Sequence, residues 1–131
     1  MAIFRKKQPE KPPYLERIDE LEYVEIVRMK GDMTYKVIPI IEARIKENRK
    51  RQGGIRITKN ILVDYALITA VDSAAIAFHL VHLKEYEARG KKVGFINLSE
   101  ELKNLMDMFK QNETFKIYIS EEVAVKELNK E

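Results

Sequence analysis

NILVDYALITAVDSAAIAFHLVHLKEYEARGKKVGFIN, residues 60–97, carries the pattern on which the fold turns. Ile61 to Leu67 is an apolar, β-branched run of strand length. After a short turn, Ser73 to Arg89 has the length and composition of a helix closed by Gly90, and Val93 to Leu98 is a second apolar strand. The unit then repeats downstream, with a helix from Ser99 to Lys110, a strand from Phe115 to Ile119 and a short helix from Glu121 to Asn129. Strands alternating with helices of this length predict βα crossovers and a sheet that is mainly parallel in its later part.

Upstream, Leu15 and Ile18, then Val24, Ile26 and Val27 within Tyr23 to Met29, read as two strands broken by Gly31 and Asp32. They can add an antiparallel edge. Val37, Ile40, Ile41, Ala43 and Ile45 fall mostly at helical spacing, with Glu42, Arg44, Lys46 and Glu47 on the other face. This amphipathic helix is entered between Thr34 and Lys36. Pro39 lies in its first turn, where a missing N–H has no intrahelical partner to lose. It frays through Asn48 to Gln52 into Gly53 and Gly54. For the later helix, Asn97 with Glu100 three residues on, or Ser99, can serve as N-cap. The expected fold class is α/β, a mixed four- to five-stranded sheet with about four helices.

Composition narrows the function classes. Of 131 residues, 45% are hydrophobic and 34% charged, the balance of a globular protein. Three of the four prolines (Pro9, Pro12, Pro13) and the basic cluster Arg5 to Lys7 mark residues 1–13 as a flexible tail, leaving 14–131 as a single domain. No stretch approaches the roughly 18 apolar residues of a membrane span, and the opening apolar run is too short for a secretory signal, so a cytoplasmic location is expected without membrane insertion. With no cysteine, disulfides, thiol catalysis and thiolate metal ligation are excluded. The net charge of +3 arises from a nearly even mixture, and the clusters at Arg5 to Lys7 and Lys46 to Arg51 read as solvated faces rather than a nucleic-acid surface.

No phosphate-binding glycine loop and no nucleophile, base and orienting group appear at recognisable spacing, so neither a cofactor nor an enzymatic centre is expected. His79, His82 and Glu85 lie three apart along one helix, a spacing that can align ligands. Nothing nearby supplies a fourth group, and we read them as partly exposed helix-surface or core-edge histidines with no metal.

Asp72 and Ser73 stand where the long helix begins, and residues of these types commonly cap helices. Ala70, Ala74, Ala75 and Ala77 make that end of the helix small-sided. Residues 60–97 resemble the STAS family of anti-sigma-factor antagonists and related signalling modules: an apolar strand, Val71-Asp72-Ser73 in the place of the Asp-Ser motif, a long helix, a glycine and a strand ending in VGFINL. Leu102, Leu105, Met106 and Phe109 are similar to the family's next helix, and Gly31-Asp32 to its glycine and acidic residue after the second strand.

The resemblance implies a STAS domain from about Tyr14 onward, with Ser73 as phosphoacceptor and Asp72 supporting it. It further implies partner binding switched by that phosphate, the partner being an anti-sigma factor or a serine kinase of a signalling complex. Ser73, Ala74, Ala75 and His79 are the expected exposed partner-binding surface. The chain departs from the family in having Ala74 and Ala75 where a second hydroxyl and a glycine often stand. The N-cap reading of Asp72 or Ser73 stays open beside the phosphoacceptor one. An alternative from the same resemblance is a non-phosphorylated accessory subunit of a transport complex, to which PYLERIDELEYVEIVRMKG, residues 13–31, has some likeness. Nucleotide binding rests on the fold alone.

Overall fold

The structure, a computed structural model, describes residues 11–109 and 114–131. Its elements run β1 (Leu15–Glu20), β2 (Val24–Met33), α1 (Ile38–Arg51), β3 (Asn60–Val71), α2 (Ser73–Glu87), β4 (Val93–Ile96), α3 (Glu100–Met108), β5 (Lys116–Ile117) and α4 (Glu121–Leu128). The five strands form one sheet in the order β1-β2-β3-β4-β5. β1 and β2 pair antiparallel, and every later pairing is parallel. The mixed α/β sheet with an antiparallel edge is therefore as the sequence predicts.

Strand alternation sorts the core into two layers. Val63 and Tyr65 of β3 face α1, α2 and α3 and join Ile41, Phe78 and Leu102 in the larger cluster. Leu62 faces the other way, with Val24, Ile26, Ile96 and Tyr118, and is covered by Ala124 and Leu128 of α4. Burying each such Leu or Ile contributes about 2 kcal/mol. Gly94 makes the α4 side possible, because a Cβ there would lie 2.6 Å from the Tyr118 ring and 3.0 Å from Leu128.

Several boundaries move once the ladder is in place. β2 does not stop at Gly31 and Asp32. Gly31 adopts φ +76°, the register shifts there, and the strand goes on pairing with β3 to Met33↔Val71. The same pairing lengthens β3 to Val71. β5 is shorter than Phe115 to Ile119, since among the described residues it pairs only with the four-residue β4, at Gly94↔Lys116 and Phe95↔Ile117. Helix α1 begins at Ile38, with Val37 as a cap that lacks a side-chain hydrogen bond and Pro39 in the first turn, and it persists to Arg51. Ser99 caps α3 by accepting from the Leu102 N–H at 3.1 Å, so no Asn97–Glu100 box forms. Lys110, the expected end of that helix, and residues 1–10 of the expected tail lie outside the described residues.

Candidate functional site

The junction between β3 and α2 is built around Asp72. Its backbone is extended, which makes it the N-cap of α2, and Oδ1 accepts from the Ala74 N–H at 2.9 Å. Oδ2 accepts from the Tyr35 N–H at 3.0 Å, so one carboxylate holds both the helix and the turn that follows β2. With Asp72 filling the capping role, Ser73 is left as the first helical residue, exposed and with no hydrogen bond from its hydroxyl among the described residues.

From Ser73 an exposed stripe runs along α2 through Ala77, Val81 and Lys84, at intervals of four, four and three. Tyr35, 67% exposed, stands in the adjoining turn beside Lys36. This corrects the expected surface. Ser73 is exposed and Ala74 partly so, but Ala75 is fully buried and His79 is 4% exposed. A residue six positions after Ser73 points to the opposite flank of a 3.6-residue helix, toward the sheet.

His79 hydrogen-bonds the Tyr65 hydroxyl and packs edge-on against Phe78 and Phe95. Burial, with His82 nearby, pushes its pKa down to about 3, and burial also raises that of Tyr65. His82 Nδ1 lies 4.0 Å from Glu85, which pairs in turn with Arg49. Among the described residues, no three His, Cys, Asp or Glu side chains converge as a metal site would require.

A second polar centre, on the α4 side of the sheet, had escaped the sequence reading. Arg28 Nη1 reaches Asp64 at 2.9 Å and Glu121 at 2.5 Å, while its Nε reaches Asp19 at 2.8 Å. Asp64 Oδ1 also accepts from Asn97 Nδ2 and from the Ala66 N–H, each at 2.9 Å. Burial pushes the Asp64 carboxyl up, but Asn97, Ala66 and Arg28 outweigh it and hold the group below the usual carboxylate range. Its visible signal was an aspartate inside an apolar strand. One guanidinium is thus shared by three carboxylates, and the arrangement joins β1, β2, β3 and α4.

The family model of the STAS domain matches residues 16–124, most of the chain. The chain belongs to the STAS domain family. No curated protein matches this STAS chain in sequence. Among solved structures, it is similar to a candidate anti-sigma factor antagonist from Thermotoga maritima, with 13% identity over 87% of this chain and 94% of that one and a TM-score of 0.73. The phosphorylated form of the Bacillus cell fate determinant SpoIIAA is 17% identical over 85% of this chain and 96% of that one, with a TM-score of 0.58. A sulfate transporter family protein from Wolinella succinogenes is 15% identical over 81% and 84%, with a TM-score of 0.62. At these identities the likenesses are of fold. No helix among the described residues of the STAS domain is long and apolar enough to cross a membrane.

Because Asp72 serves two backbone donors, Asp72→Ala is expected to cost about 2 kcal/mol, the sum of a lost cap and a lost tie to Tyr35. Urea denaturation checks this. Asp72→Asn, which keeps one acceptor oxygen, should recover part of the loss. A cost within about 0.5 kcal/mol of zero would mean that water satisfies both donors.

Proposed function

We propose that this STAS domain is a non-enzymatic regulatory module whose partner binding is switched by phosphorylation of Ser73. The observation that carries the reading is the division of labour at the helix start: Asp72 caps α2, and the Ser73 hydroxyl is exposed and uncommitted. A phosphate on Ser73 would sit at the positive end of the α2 dipole, close to backbone N–H groups, so the fold itself tolerates it. A partner lying over the same spot would bury nearly two added negative charges, and desolvating them without paired cations is costly.

The unmodified surface suited to that partner is Ser73, Ala74, Ala77 and Val81 of α2 with Tyr35 beside them. The partner class is an anti-sigma factor or a serine kinase of a signalling complex, and the likeness to a protein solved in phosphorylated form supports it. Residues 14–131 act as the single working domain.

The test is intact mass and site mapping after wild-type protein and a Ser73→Ala control are incubated with ATP and lysate of the source cells. One phosphate is expected on the wild type and none on the control. No phosphate, in a lysate active on a control substrate, would sink the switch and leave the accessory subunit of a transport complex as the better reading. In capture experiments with the unmodified protein as bait, Ser73→Glu is expected to weaken retention of the partner by about tenfold or more.

A further inference from the structure

On the face of the domain away from α4, a groove opens between the β1–β2 edge, helix α1, residues 52–57 and the flank of α2. Its volume is about 440 Å³, within the roughly 300–1,000 Å³ of small-molecule sites. The walls are apolar, with Ile18, Val27, Ile45, Ile57 and Phe78 among them, and Ile18 and Ile55, 45% and 37% exposed, also line it. Three arginines, Arg44, Arg49 and Arg56, stand among the lining residues, and among the described residues no aspartate or glutamate does. Arg49 is paired with Glu85, whereas Arg44 and Arg56 make no ion pair among the described residues. The Arg44 guanidinium is close enough to Tyr14 to oppose the upward push of burial on that phenol. Apolar walls with uncompensated positive charge select a ligand by its two ends.

We propose that this groove binds an amphiphilic anion, an acyl-chain carboxylate whose tail lies against Ile45, Ile57 and Phe78 while its head group pairs with Arg44 and Arg56. A cationic group in the same place would be repelled by the arginines. A carboxylate takes a bidentate pairing with a guanidinium, and partial exclusion of water by the tail strengthens it.

The test is a backbone amide NMR titration of the full chain with sodium dodecanoate, below its micelle concentration, and in parallel with dodecyltrimethylammonium. The two probes share a tail and differ in head charge. Saturable shifts are expected at Ile18, Ile45, Ile57 and Phe78, with the anion binding at least about tenfold more tightly than the cation. In Arg44→Gln/Arg56→Gln that preference should fall below about threefold while the shifts stay at the same residues. Ile45→Trp, which fills the groove, should abolish both titrations in a variant whose remaining spectrum is native. Equal affinity for the two head groups, shifts confined to another surface, or no saturable shift would overturn the proposal. So would displacement of Ile3 and Phe4 signals by dodecanoate, or self-association that dodecanoate reverses, since these would give the groove to the chain's first residues or to a second copy.

Discussion

Arg28→Met is expected to lower folding stability by about 3 kcal/mol, the low end of what breaking a buried ion pair costs. The Arg28 and Asp64 side chains are 14% and 9% exposed, so losing the guanidinium strands a carboxylate that water scarcely reaches. Asn97 and the Ala66 N–H would still hold one of its oxygens, which is why the loss should not be larger. Asp19 and Glu121, at 37% and 45% exposure, are screened by solvent and contribute little. Urea denaturation with an unchanged slope checks the value. Arg28→Met/Asp64→Asn should be more stable than Arg28→Met, because the stranded charge is gone. A loss under about 1 kcal/mol in Arg28→Met would class the pair with surface salt bridges and refute the buried-charge account. The proposed phosphorylation of Ser73 should be unaffected, as the network lies across the sheet from α2.

The other large effect is on acid stability, through His79. Its folded pKa of about 3 lies below the ordinary value of 6.5, so the unfolded chain binds a proton that the folded one refuses. The contribution is complete above pH 6.5 and is lost as pH falls from there toward 3. The limiting slope is about 1.4 kcal/mol per pH unit, giving a loss of about 2 kcal/mol between pH 8 and pH 5. His82, lowered chiefly by burial against the opposing pull of Glu85, acts in the same sense. Asp19 and Asp64, both held low, add their losses further down, through the carboxylate range.

Urea denaturation at several pH values, wild type against His79→Gln, isolates the histidine. The variant should lose less stability on acidification. Parallel profiles would refute the assignment. Should the variant fold poorly, the His79 ring resonances of the wild type give a second reading: they should not titrate above pH 4, and a midpoint near 6.5 would mean that the ring meets water.

How much of this was legible in the chain follows from the range over which each signal acts. Asp72 could be read as a cap because the donor it satisfies, Ala74 N–H, is two residues away. The tie to Tyr35 spans 37 positions and leaves no mark in either local sequence. Helix α2 was evident from its length and from Gly90, yet its buried flank was not, since small and apolar residues occur on all sides of it. His79 was for that reason assigned to the wrong face. Gly31 signalled a break, and pairing with β3 turned it into an irregularity within a continuous strand.

By itself the sequence determined the succession of strands and helices, the antiparallel edge, the capped start of α2 and the resemblance carried by residues 60–97. These depend on periodicity, caps and turns, whose physics acts between residues within about four positions of one another. Only the tertiary structure decided that Ser73 is exposed while His79 is buried against Tyr65, that Arg28 meets Asp64 inside the sheet, and that a cationic apolar groove opens beside α1. Burial and ion pairing are set by which distant segments the parallel ladder brings side by side, and no local pattern in the chain encodes that neighbourhood.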